Sequence, residues 1–266
     1  MMDTQVLKNL LPVVCELAVK AGKGILPIAA EIGQVETKAD GTPLTRADRA
    51  SHQVIAAGLD QIEPRFPVLS EEGDLEQVGM ESWRTFWCVD PLDGTKEFVK
   101  GLDEYTVNIA LIDGGRSVLG VVYVPAQDVL YYAAAGRGAW KAAGAAEPQR
   151  IAASECEQPA VAVASRSHLS DQTREFLARL GVQEMTSRGS SIKMCAVADG
   201  SADIYPRYGP TCLWDTAAGA AVAIEAGCEV IDLQGAPLSY DPAAGIRREG
   251  FVVYPAAMRE LVAAAL

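Results

Sequence analysis

The sequence predicts a mixed fold, α+β in its first half and α/β in its second. Three observations carry this reading. Two helical patterns open the chain, β-rich runs separated by short turns follow from Pro67 to Trp140, and from Val161 onward strands and helices alternate.

Over residues 4–30, Leu7, Leu10, Leu11, Val14, Leu17, Ala18, Ala21 and Ile25 recur as one face of a helix. Pro12 fits that helix only near its start, and Pro27 predicts a broken last turn. A polar loop from Thr37 to Pro43 leads to Thr45-Arg46-Ala47-Asp48, a capping-box pattern with Asp in place of Glu. The helix behind it carries Val54, Ile55, Leu59 and Ile62. Tyr105 to Ile112, Val118 to Val124 and Val129 to Ala135 read as strands, with Asp113-Gly114-Gly115 as a hairpin turn between the first two. Strands in sequence joined by short turns predict an antiparallel sheet.

Ala143 to Pro159 is poor in large apolar residues and reads as a boundary, dividing an N-terminal α+β domain (1–150) from a C-terminal α/β domain (151–266). Beyond it, Val161 to Ala164 is a strand and Ser170-Asp171 caps a helix to Leu180. Ser190 or Ser191 starts another to Asp199, and a strand runs through Ile204. Trp214-Asp215 opens an alanine-rich helix that Gly227 can end, Val230 to Leu233 and Phe251 to Tyr254 are strands, and Ala256 to Leu266 is a last helix. Alternation of this kind predicts a parallel or mixed sheet, with function at strand ends and helix N-termini.

Composition narrows the function. The 266 residues can bury a sizeable core, and 49% are apolar, yet no run approaches the ~18 apolar residues of a membrane span. The N-terminus lacks the basic region, apolar core and small-residue cleavage site of a signal peptide, so a cytoplasmic protein is expected. Peripheral attachment to the cytoplasmic face of an inner membrane stays open, as does the choice of monomer or homodimer. The six cysteines form no Cys-x-x-Cys pair, and with only His52 and His168 beside them the expectation is buried, reduced thiols and no zinc site. A net charge of −12 disfavours nucleic acid as a partner. One small phosphate ester remains compatible, provided metal ions and a few local cations offset the acids.

The chemistry concentrates after the aromatic run Thr85 to Val89. Asp90 and Asp93 follow it across a bend fixed by Pro91, so their oxygens can converge on one point. Gly94 then permits a tight turn, and Gly94-Thr95 open a short helical segment whose free N–H groups can hold an anion. Hard carboxylate oxygens beside an anion cradle suit a Mg²⁺-dependent phosphate enzyme. Taken alone, Asp-Pro-x-Asp-Gly also describes a strand followed by an Asx turn. Two distant stretches add to it: Leu69-Ser70-Glu71-Glu72-Gly73, ending another apolar run in paired acids, and Trp214-Asp215-Thr216-Ala217-Ala218-Gly219.

This ordered trio resembles the inositol monophosphatase superfamily of metal- and lithium-sensitive phosphatases. Asp-Pro-Leu-Asp-Gly-Thr-Lys-Glu-Phe (90–98) resembles the CysQ-type 3'(2'),5'-bisphosphate nucleotidases in particular, and the likeness runs from about Leu7 to Tyr254. It implies a layered αβαβα sandwich of the sugar-phosphatase type. It also implies that Glu71, Asp90 and the Leu92 carbonyl hold one ion and Asp90, Asp93 and Asp215 a second, with two or three Mg²⁺ in all. Mn²⁺ is an acceptable substitute for an all-oxygen ligand set. Glu71 is also the candidate base, and Asp48 and Thr95 orient the attacking water. The Gly94 and Thr95 amides hold the phosphate, and Glu71, Leu92, Asp93 and Asp215 also count among the substrate-binding residues. Glu72, adjacent to Glu71, faces the opposite way if the chain is extended and has no assigned role.

The local cations lie in the second half. Ser190-Ser191-Ile192-Lys193 puts a hydroxyl and an ammonium one turn apart at a helix start, and Tyr205-Pro206-Arg207 offers a guanidinium after a strand. By resemblance, Ser190, Lys193 and Arg207 meet the remote phosphate of a nucleotide, and His168, in Ser165-Arg166-Ser167-His168, lies near its adenosine. Lys96 and Glu97 stand where inositol monophosphatases carry Thr-Asn, which favours nucleotide substrates. The implied reaction releases the 3'-phosphate of adenosine 3',5'-bisphosphate in sulfate assimilation, giving AMP and phosphate. An inositol or sugar phosphatase is the rival enzyme, and a metal-bound regulatory protein the rival outside enzymes.

Overall fold

The computed structural model describes residues 2–29, 35–37, 43–75, 79–165 and 169–266, with the side chains of 35–37 and 43–45 excepted. Helix α1 (Thr4–Ala29) buries the expected stripe Leu7, Leu10, Val14, Leu17, Ala18, Ala21 and Ile25. Both Pro12 and Pro27 lie inside it, so neither confines nor breaks the helix. Pro12 sits on the exposed face, where water can take the carbonyl freed by the missing N–H while the buried stripe holds the helix straight through. Strands β1 (Val35–Thr37) and β2 (Pro43–Thr45) pair antiparallel and lead into α2 (Arg46–Leu59). The Thr45 part of the capping-box expectation lies outside the described side chains.

A seven-stranded sheet follows, in the order β3 (Val68–Ser70), β4 (Thr85–Asp93), β5 (Thr106–Asp113), β6 (Arg116–Val124), β7 (Val129–Ala134), β8 (Ala139–Ala143) and β9 (Gln149–Ile151). All neighbours run antiparallel except the edge pair β3 and β4, which is parallel. Residues 71–84 between that pair supply the length a crossover needs. The stretch read as a boundary contributes β9, paired with β8, despite its few large apolar residues: backbone pairing does not require them. The short helix α3 (Thr95–Val99) separates β4 from β5.

In the second half, β10 (Val161–Ser165) pairs parallel with β11 (Glu184–Arg188), which the sequence pattern did not reveal because every residue of β11 is exposed. Helix α4 (Asp171–Arg179) lies between them, its start fixed by Ser170, whose hydroxyl accepts from Thr173 N at 3.1 Å. Then come α5 (Ile192–Ala198), β12 (Tyr205–Cys212), α6 (Leu213–Glu225), β13 (Cys228–Ile231), β14 (Arg247–Pro255) and α7 (Arg259–Ala265). The strand expected through Ile204 starts one residue later, and Ile204 itself makes a parallel bridge to Ala162. Strands β12, β14 and β13 form an antiparallel trio with β14 central, and Gly227 (φ +96°) terminates α6 as its C′ residue.

Strand periodicity sorts the apolar residues into three cores. On β4, Trp87 and Val89 face α1 and α2, whereas Phe86 and Cys88 face α5 and α6. The far side of the second-half strands packs Phe176 and Leu177 of α4 and Val262 of α7. The layers therefore run helix, sheet, helix, sheet, helix, as the resemblance implied. Gly120 on β6 lets α6 lie close on the large sheet, since a Cβ there would collide with the Ala218 carbonyl. All six cysteines are free: Cys88, Cys195 and Cys228 are buried, and Cys15, Cys156 and Cys212 half-buried. Among the described residues no helix is long and apolar enough to cross a membrane.

Candidate active site

The acids collect where the parallel edge strands β3 and β4 end. Phe86, Cys88 and Asp90 share one face of β4, so the strand's own alternation aims Asp90 at the layer of α5 and α6. Asp90 is 1% exposed, and its Oδ1 accepts from Leu92 N at 3.1 Å, closing the turn over Pro91. The ladder to β5 is irregular between Asp90 and Asp93, as the proline demands. Ser51 of α2 donates to the Pro91 carbonyl at 2.7 Å and ties the turn to the helix layer. Glu71 follows β3 directly, its N–H donating to Val89 O at 3.2 Å. Just before it, Ser70 Oγ lies 3.0 Å from His52 Nδ1.

Asp48 and Thr95, far apart in sequence, meet. Thr95 Oγ1 lies 3.5 Å from Asp48 Oδ1 and 3.2 Å from the Leu92 carbonyl, at the head of α3. Asp48, in the first turn of α2, is 1% exposed. Gly94 takes φ +92°, and a Cβ on it would press on the Glu104 carbonyl and on Ser190. Gly94 and Ser190 are therefore packed against each other.

Ser190 itself adopts φ +44°, a left-handed conformation unusual for serine, and its buried hydroxyl has no hydrogen-bond partner among the described residues. Such a strained, unsatisfied group fits a ligand contact. Ser191 N and Oγ donate to Asp93 Oδ2 at 2.7 and 3.1 Å. Asp215 Oδ2 accepts from Thr211 Oγ1 at 2.8 Å and from Cys212 N at 3.0 Å, so the carboxylate caps α6 as well as facing the other acids. In Asp90, Asp93 and Asp215 alike, these donors engage one carboxylate oxygen.

The electrostatics register the crowding. Burial, then Glu71, Asp93, Asp215 and Asp48, hold the Asp90 carboxyl well above its ordinary pKa. Asp93 is raised to about 6 by burial and Asp215, against the opposing pull of Lys193 and the Ser191 donors. Among the described residues, no three Asp, Glu, His or Cys side chains lie together at metal-ligand distances. The donor chemistry nevertheless fits a hard divalent cation: oxygen only, buried, and in need of positive charge.

The cations are arranged differently from expectation. Lys193 is 4% exposed, its Nζ donating to the Ser190 and Arg188 carbonyls at 2.7 and 3.3 Å and lying over the Tyr205 ring. Arg207 lies inside β12, not after a strand, and donates to Pro210 O at 2.7 Å. Burial would lower its pKa, but Tyr205, Asp215 and Asp93 around it raise it, which places the guanidinium beside the acids. His168 lies outside the described residues. Glu104, not singled out from sequence, accepts from Gly189 N at 3.0 Å and so fixes the turn that presents Ser190.

The match to the Inositol monophosphatase family model extends over residues 6–265. The chain belongs to the inositol monophosphatase family. It is 48% identical to the 3'(2'),5'-bisphosphate nucleotidase CysQ of Escherichia coli (strain K12) over 90% of this chain and 97% of that protein. The solved structure of CysQ from Bacteroides thetaiotaomicron superposes with a TM-score of 0.80 at 42% identity, over 91% of this chain and 96% of that one. An IMPase from Thermotoga maritima matches with a TM-score of 0.77 at 25% identity, over 95% and 94%. The family fold thus covers every element that carries a candidate residue.

Proposed function

We propose that this family member is a Mg²⁺-dependent 3'(2'),5'-bisphosphate nucleotidase, releasing the 3'-phosphate of adenosine 3',5'-bisphosphate to give AMP and phosphate. The observation that carries the reading is the buried Asp90, ringed by Glu71, Asp93, Asp215 and Asp48, with Arg207 and Lys193 close behind. The near full-length similarity to CysQ supports the choice of substrate.

Glu71, Asp90 and the Leu92 carbonyl would hold one divalent ion, and Asp90, Asp93 and Asp215 another, with Mn²⁺ as an acceptable substitute. Bound ions supply Lewis-acid charge to the phosphoryl oxygens and lower the pKa of water. The chain's own residues do the rest. Gly94 and Thr95 amides hold the transferring phosphate, and Ser190, Lys193 and Arg207 hold the second. The Thr95 hydroxyl and the Asp48 carboxylate orient a water, with Glu71 as base, so that its oxygen attacks phosphorus as the bond to O3' breaks. The departing O3' takes up a proton and AMP leaves. We place this chemistry in the cytoplasm, on a small-molecule nucleotide.

The test is kcat/KM with Mg²⁺ on adenosine 3',5'-bisphosphate, inositol 1-phosphate and a sugar phosphate. Preference for the bisphosphate is expected. Preference for the inositol ester overturns the substrate, and no metal-dependent release from any ester overturns the enzyme.

A further inference from the structure

Two polar side chains next to the acids have no role in this scheme. Asn108 lies mid-strand in β5, fully buried, opposite Asp90 in the ladder. Its Nδ2 donates to Ser191 Oγ at 2.8 Å. The Ser191 hydroxyl in turn lies 3.1 Å from Asp93 Oδ2 and 2.9 Å from the Asp215 carbonyl, while the Ser191 N–H donates to that same Asp93 oxygen at 2.7 Å. A serine hydroxyl has one hydrogen to donate and lone pairs to accept with. Asn108 fills the accepting side, so the hydrogen turns away from β5 towards Asp93 and the first turn of α6.

The fold alone gives little reason for this arrangement. Asn108 Oδ1 is buried with no hydrogen-bond partner among the described residues, and an unmet buried acceptor costs stability. Val or Ile would suit the interior of a strand whose neighbours are Val107 and Ile109 better. What the pair does achieve is a junction. One hydroxyl joins β5 of the large sheet, the end of β4, and α6 of the second half.

We propose that Ser191, oriented by Asn108, is a positioning residue that sets Asp93 relative to Asp215 so that their remaining oxygens can share one divalent cation. The inference rests on the metal-dependent reading above. It assigns Asn108 a share of the effect that passes entirely through the Ser191 hydroxyl. Residues that orient metal ligands in this way change affinity by about ten- to a hundredfold when removed.

The experiment uses the full chain as Ser191→Ala, Asn108→Ala and the double variant, with Mn²⁺ alone as the probe in calorimetric titration. Metal-free melting curves and phosphate release against Mg²⁺ concentration run beside it. Ser191→Ala is expected to weaken Mn²⁺ binding by about ten- to a hundredfold. The Mg²⁺ needed for half-maximal rate should rise by the same factor, with kcat at saturating metal changed less. The double variant should bind Mn²⁺ no more weakly than Ser191→Ala. Unchanged Mn²⁺ affinity with a lowered melting temperature makes the pair merely structural and overturns the proposal, as do additive losses in the double variant. Ser191→Ala removes one oxygen and decides the matter by itself if Asn108→Ala fails to fold. A wild type that binds Mn²⁺ but hydrolyses no ester overturns the phosphatase reading instead, because the titration does not depend on turnover.

Discussion

The two halves of the molecule treat charge in opposite ways. The large sheet and its flanking helices contribute Asp48, Glu71, Asp90 and Asp93, and Asp90 has no cation among the charges that shift it. The second half contributes Lys193 and Arg207, each satisfied locally by backbone carbonyls and each reaching the acids through space. One half crowds its carboxylates together and the other brings cations towards them. The difference teaches where binding energy should come from: the acids from a metal, the cations from the part of a substrate that is not reacting.

The comparison breaks most visibly at Asp93, which takes its neighbours from both halves. Asp93→Asn should lower phosphate release by roughly 10²–10³-fold at saturating Mg²⁺ while the metal-free fold survives. Normal turnover with a collapsed melting temperature would show that Asp93 serves the core. Next in size is the pair Thr95 and Asp48. Thr95→Ala and Asp48→Asn should each lower kcat by about a hundredfold, and the double variant scarcely further, since the two share one task. If both only cap helices, each costs ~1 kcal/mol of stability and leaves the rate alone.

The cations sharpen the contrast. Arg207→Ala should cost about ten- to a hundredfold on the bisphosphate nucleotide and little on 3'-AMP, the size of a charge-assisted contact to one phosphate. Lys193→Ala should also weaken 3'-AMP hydrolysis, because its ammonium holds the Ser190 carbonyl and moderates Asp93. Equal losses for Arg207→Ala on both esters would mean that it does not read the second phosphate.

Stability without metal offers a gentler test. Asp90 and Asp93 hold their protons to higher pH when folded than when unfolded, so folding takes up protons. Stability of the metal-free protein should therefore fall as pH rises from 3.8 through about 6, by roughly 1–3 kcal/mol from Asp93. Asp93→Asn should flatten that slope, and saturating Mg²⁺ should reverse it. Melting curves at stepped pH check both. The smallest effect belongs to the joint between the halves remote from the acids. Glu225 of α6 accepts from the N–H groups of Gly136, Arg137 and Gly138 at 2.9–3.2 Å. Glu225→Ala should lower stability by about 1–2 kcal/mol with kcat unchanged. A changed kcat would mean that the joint couples to the site.

Much of this protein can be read from its residues alone. The helical stripe of α1, the alternating strands, the capping serine of α4 and the glycine that ends α6 are local: each follows from periodicity or from the φ angle a residue permits. Asp-Pro-Leu-Asp-Gly is legible because it forces its own turn, and the stretches around Glu71 and Asp215 because with it they form an ordered trio. Two prolines within α1 escaped the rule, because tertiary burial of one face outweighs two missing N–H bonds. Strand β11 escaped because its side chains are exposed and carry no hydrophobic pattern.

Which acids meet was decided only by the tertiary structure. Asp48 reaches Thr95, 47 positions on, because α2 packs against the end of β4. Ser191, at the head of α5, reaches Asp93 across 98 positions because α5 packs on α6, and α6 in turn lies close on the large sheet at Gly120 with Asp215 in its first turn. Asn108 is a polar residue amid the apolar middle of β5, but its partner Ser191 lies 83 positions away and cannot be read from sequence. Local pattern specifies the turn that bears a carboxylate. The charges that surround it depend on chain crossings tens of residues away, and those are set by how the layers pack.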